Sequence, residues 1–201
     1  MLPIYALILG DDPVNGVNVI SVVADPAIEE NCLKFSSDKF EIKLSQDNEK
    51  HELFGPVLIP DLLIYRRAAN GLEYYVTFSR ETIDALEKRY FKSGFNFNVS
   101  LEHSGENVQG FVFESFIKDE SLGVNPVGWD VPSGTWFIRM KIEDDAAWEK
   151  IKNEGLSGFS VECFMEGVEI GEALSSQKEE TEQQPQAKPE TMIDRLLDGK
   201  I

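Results

Sequence analysis

Gly155-Leu156-Ser157-Gly158-Phe159-Ser160-Val161-Glu162-Cys163-Phe164 follows a helix-like segment and reads as a turn running into a strand. Ser160 comes directly after a Gly-Phe step, where a hydroxyl can be presented from a buried strand. Side chains alternate along a strand, so Ser157 and Ser160 point to opposite faces while Ser160 and Glu162 share one. The chain holds 2 histidines, and one of them, His103, ends a second strand-like run, Val99-Ser100-Leu101-Glu102-His103. A serine on one strand and a histidine on another are the minimum parts of a hydrolase that attacks through a hydroxyl. A neutral imidazole takes the proton, a third group holds its tautomer, and backbone N–H groups near Gly158 or in the surrounding loops are candidate oxyanion donors. Two carboxylates compete for the third place. Glu162 shares the face of Ser160, and Glu114 lies one strand beyond the histidine. Spacing does not choose between them.

Around this stretch the chain reads as mixed α and β. Residues 4–9 and 17–23 are apolar runs with strand character, the first closed by the turn signal Gly10-Asp11-Asp12-Pro13. Asp25-Pro26-Ala27-Ile28-Glu29-Glu30 has the proline and early acids of a short helix start, and Phe40–Leu44 alternates as a half-buried strand. Gln46–Glu52 is expected to be a polar loop with His51 solvated in it. Leu53–Pro60 is extended, and Asn70-Gly71 joins Ile64–Arg67 to Tyr74–Phe78 as a hairpin. Ser79 caps a helix whose Ile83, Leu86, Tyr90 and Phe91 form one apolar face, ended by Ser93-Gly94. The alternation of Phe95, Phe97, Val99 and Leu101 predicts a strand that turns His103 toward the core or a pocket. Ser104–Asn107 is a turn, Val108–Ile117 a strand carrying Glu114, and Lys118–Pro132 a polar loop. Gly134–Ile142 is a strong strand, followed by a helix from Asp144 with acids first and lysines late.

Composition narrows the function. The 201 residues, 42% of them hydrophobic, suit one domain with a real core over residues 1–170. A linker expected to be disordered and acidic follows at 171–190, then a short amphipathic docking segment at 191–201. A formal net charge of −17 disfavours partners recognised through phosphates, so neither nucleic acid nor an anionic membrane is expected. The 2 cysteines, Cys32 and Cys163, are too few for a disulfide scaffold. The apolar N-terminus lacks a basic flank and is too short to span a bilayer, so a first strand of a soluble cytosolic protein is expected. There is no phosphate loop or dinucleotide fingerprint, and two separated histidines argue against a His-rich metal centre, leaving only a carboxylate-held magnesium open. Ser-His chemistry requires no cofactor.

The motifs also resemble a known family. Val19–Asn31, Gly55–Pro60, Ile64-Tyr65-Arg66, Tyr75–Ser79, Glu102-His103 with Val108-Gln109-Gly110, Gly134–Phe137, Trp148–Ile151 and Gly158–Glu162 occur in the order found in the serine prohead proteases of tailed phages. The similarity is to the phage serine protease branch of prophage-like elements. The resemblance implies an α+β, assemblin-like β-barrel flanked by helices, as in the herpesvirus enzyme. It implies Ser160 as nucleophile and His103 as base, with Ser157 as the fallback because Gly155-Leu156-Ser157-Gly158 also resembles the motif. Glu114 or Glu162 is then the third residue, and Arg66 or Arg139 a candidate oxyanion aid. Cys163 stands where related sequences often have glycine. The implied function is a serine endopeptidase of capsid maturation, cleaving phage scaffold and major capsid precursors, and its own tail as an option. It would act in the host cytoplasm inside the assembling prohead, with a homo-oligomer as a further option. The rival readings are an inactive capsid- or scaffold-associated protein that kept the fold, and a soluble acidic adaptor with structural Ser and His.

Overall fold

The structure, a computed structural model, describes residues 2–12, 14–24, 26, 32–33, 43–68 and 70–172. The expected helix at 25–30 (except residue 26), residues 40–42 of the expected strand, and the linker and docking segment from residue 173 on lie outside the described residues, while Gly171 and Glu172, placed in the linker by the sequence, end a strand.

The described chain is mostly sheet with two helices, consistent with the α+β expectation. In chain order the strands are β1 (Pro3–Ile8), β2 (Gly16–Val23), β3 (Cys32–Leu33), β4 (Ser45–Asp47), β5 (Glu52–Leu58), β6 (Leu63–Arg67), β7 (Glu73–Phe78), β8 (Val99–Leu101), β9 (Gly110–Ile117), β10 (Trp136–Ile142), β11 (Gly158–Phe164) and β12 (Glu166–Glu172). The helices are α1 (Arg80–Lys92) and α2 (Asp145–Glu154).

Three sheets result, ordered β12-β1-β7-β6-β3, β4-β5-β10-β9 and β11-β2-β8. Among the described residues their ladders do not close into one barrel. What unites them is a single core. Tyr5 and Phe78 from the first sheet, Leu53 and Ile138 from the second, and Ile20 and Phe159 from the third belong to one buried cluster with Leu86 of α1 and Trp148 of α2. Each such side chain removed from water contributes about 1.5–3 kcal/mol, so the sheets are held by their shared interior even where no ladder joins them.

The helices form where their caps and stripes direct. The Ser79 hydroxyl accepts from the Thr82 N–H, and α1 buries Ile83, Leu86 and Tyr90. Asp144 accepts from the N–H groups of Ala146 and Ala147, and α2 buries Ala147, Trp148 and Ile151. Gly155 ends α2 at φ 68°, a left-handed conformation that glycine adopts without strain.

Three local expectations need correction. Ser45–Asp47 is not loop but β4, paired antiparallel to β5, with the Asp47 carboxylate accepting from the N–H groups of Glu49 and Lys50 in the turn. His51 is not solvated. Its ring stacks on Trp148 at 4.8 Å, and Nδ1 lies 3.7 Å from an Asp145 carboxylate oxygen. The alternating run from Phe95 is a strand only over Val99–Leu101, because Phe95–Phe97 winds into a 3-10 turn that leaves Phe97 exposed.

Candidate active site

The third sheet carries the site. β2 is its central strand, antiparallel to β11 and parallel to β8. The register sets Ser160 opposite Ser21 and Ser21 opposite Ser100. Directly opposed residues in a sheet share a face, so three serines form a row across three strands. β11 can lie close here because position 158 is glycine: a Cβ there would meet Pro26 Cγ at 2.2 Å.

His103 reaches this row from the end of β8. Glu102 and His103 both have φ of 50°, a conformation rare for non-glycine residues, so the chain turns sharply after Leu101. Glu102 anchors the turn. Its N–H donates to the Val22 carbonyl, and its carboxylate accepts from the Ala24 N–H at 2.6 Å. The Ser104 N–H donates back to the Leu101 carbonyl. The expectation that strand parity aims His103 therefore fails: the left-handed turn, not the alternation, directs the imidazole.

The imidazole touches one partner of the motif at each nitrogen. Ser160 Oγ lies 2.9 Å from Nε2, and Glu162 Oε1 lies 3.0 Å from Nδ1. A carboxylate only accepts, so Nδ1 carries the proton and donates it to Glu162. Nε2 then presents its lone pair to the Ser160 hydroxyl, as a general base must. The side chains of His103 and Glu162 are each 41% exposed, so the assembly opens to solvent on one side.

Of the two carboxylates weighed as third group, only Glu162 meets the histidine. Glu114 lies on the other sheet, on β9 opposite Arg139 of β10, and its carboxylate accepts from Arg139 Nε at 3.2 Å. Arg139 also lies over the Phe54 ring. Both are thus drawn into a surface pair away from the serine row. Ser157 precedes β11, and its backbone bridges Val23 and Leu44. Of Ser157 and Ser160, the one at hydrogen-bonding distance from His103 Nε2 is Ser160.

Arg66 is placed differently from Arg139. It borders, with Ser160 and Glu162, a pocket of about 380 Å³ whose walls include Val57, Ile64 and Phe78. Cys163 borders it too, and burial pushes its thiol up to about 11 although Arg66 acts in the opposite direction. The β11–β2 register shifts between Glu162 and Cys163. Irregular pairing of this kind bends a strand beside a site and re-aims its side chains.

Two participants were not singled out from the sequence. Ser21 Oγ lies 2.6 Å from Ser100 Oγ, 3.2 Å from His103 Nδ1 and 3.4 Å from Glu162 Oε1. Their signal is a hydroxyl inside an apolar strand: Val19-Ile20-Ser21-Val22-Val23 and Val99-Ser100-Leu101 each set one serine where packing alone would favour an aliphatic residue.

No curated protein and no solved structure matches the chain. A family model does match, over residues 39–169, more than half of the sequence and a span that holds His103, Ser160 and Glu162. The chain belongs to that family, whose description is "Putative phage serine protease XkdF".

Proposed function

We propose that the protein is a serine endopeptidase in which Ser160 attacks, His103 transfers the proton and Glu162 orients the imidazole. The observation that carries this reading is the continuous contact from Ser160 Oγ through both ring nitrogens of His103 to Glu162. In the first step the Ser160 Oγ–carbon bond forms as Nε2 takes the hydroxyl proton. The carbonyl oxygen gains the electron pair, and Glu162 stabilises the imidazolium. The tetrahedral intermediate then collapses, the C–N bond breaks, and the imidazolium delivers its proton to the leaving amine. Water, deprotonated by the same nitrogen, hydrolyses the acyl-serine and restores Ser160. Arg66, a cation bordering the same pocket, is the candidate aid to the developing oxyanion.

In this reading the substrates are phage scaffold and major capsid precursors, met inside the assembling prohead in the host cytoplasm, and no cofactor takes part. The segment beyond Gly171 acts as a delivery tether with a terminal docking segment. In this reading the three sheets around one core form an assemblin-like barrel with interrupted ladders.

The test is co-expression with the capsid and scaffold genes of the same phage, with intact mass spectrometry of all products. Wild type is expected to trim the head proteins or its own tail, Ser160→Ala to leave them uncut, and Ser157→Ala to behave as wild type. Uncut masses from wild type in heads that still assemble would reject the protease and favour a structural member of the family. A chain ending at Gly171 that is packaged as well as the full chain would reject the tether.

A further inference from the structure

The residues that would do chemistry are not the ones held most firmly. His103 and Glu162 are each 41% exposed at the side chain, whereas Ser21 and Ser100 are 0% and 1% exposed in the middle of the sheet. A constellation is only as precise as the rigid element that supports it.

Hydrogen-bond bookkeeping at Ser21 is restrictive. Its hydroxyl has one proton to give and two lone pairs, and at 0% exposure no bulk water completes the set. Its neighbours are Ser100 Oγ, His103 Nδ1 and Glu162 Oε1. Glu162 cannot donate, so the arrangement that satisfies all three gives the Ser21 proton to Glu162 and accepts from Ser100 and from Nδ1–H. The opposite tautomer would leave the Nδ1 lone pair facing a carboxylate oxygen at 3.0 Å, which is repulsive.

We propose that Ser21, fixed by Ser100, is the positioning residue that keeps the proton of His103 on Nδ1 and holds Glu162 against it. Its consequence for catalysis rests on the protease reading above, but its effect on the imidazole does not. Ser21 lies outside the span matched by the family model, so the N-terminal strand supplies a part of the site that the matched region lacks. Ser21 is wholly buried and cannot meet a substrate. Its loss should therefore alter turnover and leave binding alone.

The experiment uses the full chain, a fluorophosphonate probe for Ser160, and nitrogen-15 NMR of the imidazoles. The chain has 2 histidines, so His51→Asn assigns the spectrum. Wild type is expected to show the Nδ1–H tautomer at His103. In Ser21→Ala the Nε2–H form, which a free imidazole prefers, should gain. The maximal labelling rate should fall on the order of 10- to 100-fold, as for a lost hydrogen bond to a charged group, with unchanged half-saturating probe concentration. Ser21→Ala leaves the Ser100 hydroxyl unpartnered, so Ser21→Ala/Ser100→Ala is the control for folding: it should label as slowly while unfolding no lower than the single variant. A Ser21→Ala protein with wild-type tautomer and rate, or a double variant that recovers the rate, would overturn the proposal. If wild type itself resists the probe, the protease reading loses its support and the tautomer spectra alone decide the role of Ser21.

Discussion

Two strand serines in this molecule invite comparison. Ser21 on β2 touches Ser100, His103 and Glu162, and Ser115 on β9 touches Trp136 and Glu87. Ser21 lies one strand from Glu162 and Ser115 directly follows Glu114, the two carboxylates that sequence reading considered for the site. Around Ser115 everything is settled: the Trp136 indole N–H donates to it at 2.9 Å, it donates to Glu87 of α1 at 2.7 Å, and Glu114 next to it is held by Arg139. That network fastens a helix to a sheet. Around Ser21 the chain of contacts ends instead at an imidazole whose other nitrogen faces an accessible hydroxyl. The same residue type in the same kind of strand is thus a fastener in one sheet and a support for reactive groups in the other. The difference lies in what the neighbouring strand brings into register.

The sharpest way to break this contrast is at the hydroxyl itself. Ser160→Ala is expected to lower fluorophosphonate labelling by at least about 10⁴-fold, with Ser157→Ala unaffected; the reverse would shift the site by one motif. Next is the third group. Glu162→Gln should lower the labelling rate by about 10²- to 10⁴-fold, the range for a lost imidazole partner. An equal loss in Glu114→Gln would invalidate the assignment.

The thiol beside the site gives a smaller effect. Cys163 is three residues beyond Ser160 and its thiol is pushed up to about 11. Below that value the thiolate fraction, and hence alkylation, rises about tenfold per pH unit. In a Cys32→Ser variant, iodoacetamide should modify the folded chain about 100-fold more slowly at pH 8 than the unfolded chain. Equal rates would mean that the Cys163 thiol is open to solvent.

Ser115→Ala should leave labelling within about twofold and lower stability by about 1–3 kcal/mol, since the buried Trp136 N–H loses its acceptor. Denaturant unfolding monitored by Trp fluorescence reads this directly. Smallest is Glu114→Gln. Its ion pair with Arg139 is over 40% exposed on both sides, so solvent screening limits the change in stability to under about 1 kcal/mol, with labelling unchanged.

Local chemistry made much of the chain legible. The Ser79 cap and apolar stripe of α1, the Asn70-Gly71 hairpin and the helix that opens on acids at Asp144 depend on neighbours within a few residues, and they form as the sequence predicts. Where prediction failed, a longer range was at work. Phe95–Leu101 has a strand's alternation, yet its first half winds into a turn and the Asn98 amide donates to the carbonyl of Asn18, far away in sequence. His51 looked free because its partners, Trp148 and Asp145, lie on a helix almost a hundred residues on.

The sequence by itself determined that Ser160 and Glu162 share a face, because alternation along a strand is a property of the backbone alone. It also determined that His103 ends a second strand-like run and that His-rich or phosphate-loop chemistry has no residues to work with. The tertiary structure decided which carboxylate meets the histidine. Glu114 and Glu162 are equivalent in composition, and only the pairing of β11 with β2 and of β9 with β10 separates them. It decided too that Ser21 and Ser100 stand beneath the imidazole. Strand register is fixed by the burial of whole faces in a shared core, and no spacing along one chain records which rows will meet.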